Sequence, residues 1–438
     1  MKQIVVIGGG AAGMMAAIGA AREGARVILL EKNEKLGKKI YITGKGRCNL
    51  TNACDRQEFT EHVVSNPRFF LSAFHGFDNA QTVELFESLG MLTKTERGKR
   101  VFPVSDKSSD VIRALERECK RLGVSVHLHA EAASLATEPA GETEPDIPAG
   151  TERPAKKKKT YVSRVTGVVL KDGTKLAADA VIVATGGLSY PATGSTGDGY
   201  RMAKSCGHSV SRLRPSLVSL KASDACCAAL AGLSLRNVGV KFLSADGTVL
   251  AEDFGELLFT HKGISGPTVL TATARAGDAL AGGTAVLDLK PGLSDEQLDA
   301  RLVRELEAGH AKQMDNWIGA LVPAALGGEI LRRAGIPADS KAASVTKPKR
   351  LQLLRELRAM TLQITGLGDF NEAVVTKGGV STDEVNPSTM ESRITRGLFF
   401  AGEVLDLDAT TGGFNLQIAW STGMLAGRKA AQEIDTDR

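Results

Sequence analysis

The sequence predicts an α/β protein: a parallel sheet flanked by helices, opened by the first residues of the chain and completed near its end. Three observations carry this. Residues 4–7 are an apolar, β-branched run that leads through Gly8, Gly10 and Gly13 into an alanine-rich helix, then into a second apolar run ending at Glu31. Another apolar run, 181–184, stops at Thr185-Gly186-Gly187. A third, 398–401, stops at Gly402-Glu403, and Gly412-Gly413-Phe414-Asn415 then opens a final helix. Strands buried on both faces read as continuous apolar runs, and each of these ends at glycine.

The first segment has a part for every step of a dinucleotide-binding unit. Gly8 allows the tight turn, Gly10 lets the backbone approach a pyrophosphate, and Gly13 lets helix and strand pack closely. The helix, 11–23, offers its unpaired N–H groups and positive dipole end to phosphate, and Gly24 sits at its C-terminal cap. Glu31 is placed to accept the ribose hydroxyls of an adenosine.

Residues 32–52 contain too many Gly, Lys and Asn for a regular element, and read as a loop interrupted by short helical turns, suited to pack backbone N–H groups and cations around a diphosphate and a flavin ring. Residues 66–89 carry helical periodicity through Phe69, Phe70, Phe74, Val83, Phe86 and Leu89. Arg100-Val101-Phe102-Pro103 reads as a β-turn segment. An amphipathic helix over 109–122 and a strand over 124–128 follow, the latter with His127 and His129 on one face; no further ligand is near, so no metal site is assigned. Residues 137–160, rich in Pro and charge and ending in Lys156 to Lys159, form a flexible insertion. Strands resume at 162–170 and 175–184, with Asp172-Gly173 as the turn between them.

Residues 210–289 are strand-rich and form a β domain inserted into the sheet domain. Within them, residues 259–267 make a polar loop that carries His261 and leads into a helix. Residues 294–357 are helical. Strands at 362–364 and 373–376 return the chain to its first domain. The domains expected are 1–205 with 371–438, a β-rich domain of 206–292 with 358–370, and a helical domain of 293–357.

The 438 residues, 42% hydrophobic and 24% charged, are those of an ordinary globular protein of more than one domain. A formal charge of +5 is compatible with a polyanionic partner without requiring one. The six cysteines include no C-x-x-C, so neither a disulfide framework nor a zinc site is indicated. No run is long enough to span a membrane and none resembles a signal peptide, so a cytoplasmic protein is expected.

A nucleotide motif at one end and a partner segment at the other argue for FAD rather than NAD alone. In such folds the Gly-acid strand end receives the ribitol hydroxyls. The following helix points its N-terminus at the flavin N1–C2=O edge, stabilising the charge that develops on reduction. The motifs Gly8 to Gly13, Gly44 to Asn49, Ala184 to Gly187, Phe259 to Pro267, Ala401 to Glu403 and Gly412 to Asn415 together resemble the aminoacetone-oxidase-like family of bacterial FAD-binding flavoproteins. The resemblance covers the chain outside 137–160. It implies a Rossmann-like two-dinucleotide-binding FAD domain, an inserted β-barrel-like domain and a small helical domain, with FAD held non-covalently. The cofactor-binding residues expected are Gly8, Gly10, Ala11, Ala12, Gly13, Glu31, Lys32, Lys39, Gly46, Arg47, Asn49, Thr185, Gly186, Gly187, Gly402, Glu403, Gly412, Gly413, Phe414 and Asn415.

The family's activities include reduction of enones in 3-oxo bile acids and dihydrouridine formation in ribosomal RNA, with an oxidase activity for some members. The first two share one chemistry: hydride from flavin N5 to the β carbon of a C=C conjugated to a carbonyl, and a proton to the α carbon. Cys48 and His261 are the candidates for the acid. No second G-x-G-x-x-G exists, so NAD(P)H, if it is the hydride donor, visits only transiently. The substrate is then a small enone or ribosomal RNA. Low aromatic content, 5%, leaves few platforms for an extruded base and weighs against RNA. The alternatives are a flavin oxidase of a small amine or ketone, and a non-catalytic flavin-binding RNA assembly factor.

Overall fold

The computed structural model describes residues 1–140 and 161–432. The expected run Lys156 to Lys159 lies outside them. The chain divides into two compact units, Met1–Pro215 with Val374–Arg438, and Ser216–Ala373.

The first unit is built on a five-stranded sheet in the order Leu398–Phe400, Ala180–Val183, Gln3–Ile7, Arg26–Leu30, Ser125–His127. Every pairing in it is parallel. The strand that opens the chain lies at the centre, and Ile4, Val5 and Val6 are wholly buried there. The last of these strands in sequence lies at one edge, so segments from opposite ends of the chain share one sheet. All three glycine-ended runs are therefore neighbours.

The first helix, Ala11–Arg22, and the last, Phe414–Gln432, pack directly on one another. Their backbones nearly touch: a Cβ on Gly423 would lie 2.4 Å from the Ala12 carbonyl oxygen, and one on Gly427 would lie 2.1 Å from that of Ala16. Only glycine permits this approach.

The unit also holds two smaller sheets, beside a two-stranded pairing of Arg214–Ser216 with Val375–Lys377. Arg100–Pro103 is a strand rather than a turn, pairing with both Thr51–Asn52 and Thr93–Glu96. Val101 and Phe102 are buried in it, and the reversal falls instead at Gly98 and Lys99, both with positive φ. The other sheet joins Thr395–Arg396, Ser163–Leu170 and Ala132–Pro139, with Lys175–Ala177 beside the middle strand. Residues 137–139, expected in the insertion, thus belong to a strand. The single strand expected over 175–184 is two, because the chain changes sheet between Ala177 and Ala180.

The second unit holds a closed six-stranded barrel in the order Leu220–Ala222, Gly263–Ser265, Val249–Thr260, Ser234–Leu243, Thr284–Asp288, Met360–Leu367. Closure leaves no open sheet edge. The helices Asp295–Ala308, Ala324–Ala334 and Lys347–Arg358 share one apolar cluster with the barrel, in which Leu298, Leu302, Ile330 and Leu353 join Val240, Leu287 and Leu362. They have no separate core. The segment 259–267 is a hairpin and not a polar loop: Phe259 pairs with Ile264 and Thr260 with Gly263, because Phe259 and Ile264 face the barrel core. Among the described residues no helix is long and apolar enough to cross a membrane.

Candidate dinucleotide site

The glycines of the first turn have separable structural jobs. Gly8 has φ +105°, and a Cβ there would lie 2.5 Å from the Ala184 carbonyl oxygen. A Cβ on Gly13 would lie 1.8 Å from the Gly8 oxygen, so helix and turn cannot admit a side chain between them. A Cβ on Gly10 would meet nothing within 4 Å. Gly10 is the helix N-cap; no side chain bonds the turn and no acid lies in it. The first N–H groups of the helix, at Ala11 and Ala12, therefore have no side-chain cap, and the uncapped start suits an anion. Ala12 also touches the chain's distant end, since a Cβ on Gly402 would lie 2.6 Å from its own.

Glu31 is buried and does more than wait for a ribose. Oε2 accepts from Gly9 N at 2.8 Å, while Oε1 accepts from Asn33 N at 2.8 Å and Asn33 Nδ2 at 2.6 Å. It braces the glycine turn, with acceptor capacity left on Oε2. Lys32 donates to Thr196 Oγ1 and Asp198 Oδ2, both at 2.6 Å, and Asn33 donates to the Thr193 carbonyl. Asn33 and Asp198 were not singled out in the sequence; only their polarity beside glycines hinted at them.

Thr185, Gly186 and Gly187 follow the neighbouring strand. The Thr185 hydroxyl is buried with no hydrogen-bond partner. A Cβ on Gly186 would lie 3.0 Å from Ser195 Oγ, and one on Gly187 2.8 Å from Glu403 Oε1. Glu403 gathers four parts of the chain. Its Oε2 accepts from Lys39 Nζ at 2.6 Å; its Oε1 accepts from Ser189 Oγ and Thr376 N, each at 2.7 Å. Burial pushes this carboxyl up, but Lys39 and the other donors outweigh it and hold it below the usual range. Lys39 also bonds Ser189 Oγ.

The loop 43–49 departs most from expectation. Gly46 faces open space. Arg47, expected at the cofactor, pairs instead with Glu96 at 2.5 Å and Asp106 at 2.6 Å, and lies 4.2 Å over the Phe102 ring. Those two carboxylates raise its pKa further. Cys48 is wholly inaccessible, and burial pushes its thiol up to about 12 against a bond from Thr43. Such a thiol neither reaches a substrate nor gives up a proton readily, and Cys48 is a packing residue. The Asn49 Oδ1 atom is buried without a partner, and a Cβ on Gly413 would lie 2.9 Å from it.

Gly412 (φ +128°) and Gly413 (φ +98°) bring the last helix onto Thr51. The side chains of Phe414 and Asn415 are engaged within the protein. The Phe414 ring is buried, stacked on His62 at 4.1 Å and edge-on to Phe59 at 4.9 Å. Asn415 closes a turn with its amide, bonding Ala409 N at 2.9 Å and the Ala409 carbonyl at 2.8 Å. His261 is exposed on the hairpin turn of the second unit.

An uncapped helix start, glycines open at Gly10 and Gly46, and buried acceptors at Thr185 and Asn49 suit a long, multiply hydrogen-bonding dinucleotide. Comparison with known proteins agrees. A 3-dehydro-bile acid delta(4,6)-reductase of Clostridium scindens is 34% identical over 437 residues, 99% of this chain and 100% of its own. A ribosomal RNA dihydrouridine synthase of Escherichia coli is 29% identical over 420 residues, 95% of each chain. Among solved structures, a 3-ketosteroid-delta4-(5alpha)-dehydrogenase from Rhodococcus jostii RHA1 in complex with 4-androstene-3,17-dione has a TM-score of 0.53 at 15% identity, over 99% of this chain and 97% of that one. That likeness is one of fold alone. The family model of the HI0933-like protein Rossmann domain matches residues 2–429, and the chain belongs to that family.

Proposed function

We propose that this chain is an FAD-dependent oxidoreductase that reduces a C=C bond conjugated to a carbonyl, with a 3-oxo-Δ4 steroid of the bile-acid type as substrate. The observation that carries the reading is the end-to-end similarity to the bile-acid reductase, 34% over 99% of this chain. FAD, when bound, supplies the hydride for the β carbon. The chain supplies the rest. Gly10 and the uncapped start of the first helix receive the pyrophosphate, and the free capacity of Glu31 Oε2 receives the adenosine ribose. The start of the last helix favours negative charge at the flavin ring. With Cys48 set aside by its burial, His261, an exposed imidazole, is the acid for the α carbon. NAD(P)H serves as the transient source of reducing equivalents.

Uridine in ribosomal RNA is the second reading, favoured by the dihydrouridine synthase that matches 95% of the chain. Uracil and the steroid enone present the same conjugated group. The test is anaerobic reduction of the purified holoprotein, then separate challenge with a 3-oxo-Δ4 steroid and with unmodified ribosomal RNA. Return of the oxidised flavin spectrum with the steroid alone supports the first reading. Return with RNA alone, and dihydrouridine in it, replaces the first with the second. Oxidation only by oxygen, with peroxide formed, would point to an oxidase and defeat both.

A further inference from the structure

The loop 43–49 places Gly44, Lys45, Gly46 and Cys48 at positive φ, between +57° and +86°. Lys45 and Cys48 are not glycine, and such a conformation persists only where the surroundings over-determine it. Arg47 stands between Gly46 and Cys48. Its Nε and Nη2 donate to Asp106 Oδ1 at 2.9 and 2.6 Å; its Nη2 and Nη1 donate to Glu96 at 2.5 and 3.3 Å. Four of the five guanidinium N–H groups are thus engaged, with the plane on Phe102. Little is left for a phosphate. Lys94 Nζ holds Asp106 from its other oxygen at 2.6 Å, fixing the acid that fixes Arg47.

At the far end of the same loop stands an acceptor that lacks a donor, Asn49 Oδ1, beside Gly413. Gly413 leads into a helix of 19 residues, whose first N–H groups are donors in need of acceptors. The pyrimidine edge of an isoalloxazine carries the complementary pattern, one N–H at position 3 between two carbonyls. A buried acceptor left unpaired is unfavourable, and a bound flavin relieves it.

We infer that Arg47 is a positioning residue: clamped by Glu96 and Asp106 onto Phe102, it holds the 43–49 loop so that Asn49 Oδ1 accepts the flavin N3–H. The inference rests on the FAD reading above. It differs from a direct Arg47–cofactor contact, because the guanidinium acts only through the loop.

The experiment compares wild type, Asn49→Leu, Arg47→Met, Arg47→Lys, Glu96→Gln and the Arg47→Met/Asn49→Leu double variant. Each is read by FAD titration, by the flavin midpoint potential and by Tm. Asn49→Leu weakens FAD binding about tenfold, the worth of one buried hydrogen bond, and shifts the potential. Arg47→Met shifts the potential in the same direction, and the double variant is no worse than Asn49→Leu alone. Arg47→Lys does not rescue, since a point charge cannot bridge two carboxylates and cover a ring. If Arg47→Met fails to fold, Glu96→Gln takes its place with a smaller shift of the same sign. A lowered Tm with unchanged potential and affinity in the Arg47 and Glu96 variants overturns the inference, as does full additivity in the double variant. Wild-type protein that takes up no FAD overturns the functional reading as well; loss of coupling in FAD-loaded protein overturns this inference alone.

Discussion

Gly10 and Gly13 belong to one turn, yet an added methyl group meets opposite conditions at each. At Gly13 it would collide with the Gly8 carbonyl oxygen; at Gly10 it would enter empty space. Gly13→Ala is therefore expected to lower stability by roughly 2–4 kcal/mol, seen as a fall in the denaturation midpoint. Gly10→Ala should leave the apoprotein within about 0.5 kcal/mol of wild type and weaken FAD binding, measured by fluorescence titration. The same logic separates the two acid candidates. Cys48→Ala should cost about 1–2 kcal/mol of stability and spare enone turnover, because the thiol is sealed off. His261→Ala should slow enone turnover about 100-fold while flavin reduction by NAD(P)H is unchanged; equal turnover would remove the imidazole from the reaction. At this scale the glycines were legible in the sequence because their spacing is itself the function of the turn. Phe414 and Arg47 were not: a motif names neighbours in sequence, whereas the direction of a side chain is set by residues such as His62 and Glu96 that the motif does not contain.

Among elements, the pairing of the 93–103 hairpin with Thr51–Asn52 gives the clamp on Arg47 its footing. Glu96 is held below the usual carboxylate range by Arg47, and Asp106 by Lys94 and Arg47. Folded pKa values that are depressed mean support present above the unfolded carboxylate pKa and lost as pH falls through the folded one. Cleavage of the 43–49 loop by an acid-tolerant protease should therefore rise below about pH 4, and a Glu96→Gln/Asp106→Asn variant should already be cleaved at neutral pH. Equal resistance of that variant at pH 7 would show that the ion pairs do not hold the loop. The strand at Arg100–Pro103 was hidden in the sequence by its own composition, with Arg and Pro at its ends and only Val101 and Phe102 to mark burial. The first and last helices were plain, since their small residues recur where a neighbouring backbone must come near. Gly427→Leu, placed against the Ala16 carbonyl, should separate them and lower the midpoint by several degrees.

In the whole molecule, both ends of the barrel, Leu220 and Leu367, pair within the second unit. That unit carries its own apolar cluster. A chain of residues 216–373 is expected to unfold cooperatively by circular dichroism; a gradual loss of signal would deny it independence. The FAD domain and the presence of an inserted β segment were legible, because apolar runs ending in glycine mark where strands stop. Barrel closure was implied by the family resemblance alone, since the partnering of Leu220–Ala222 with Met360–Leu367 is a long-range register that no local period records. The order of the parallel sheet has a further consequence during synthesis. The strand Leu398–Phe400 and the helix behind it leave the ribosome last, after the whole second unit. Until then the strand Ala180–Val183 lacks its edge partner and the apolar first helix is uncovered, so the nascent chain must be sheltered while a later segment matures first. A stalled ribosome presenting residues 1–397 should accordingly recruit holdase chaperones and leave added FAD unquenched.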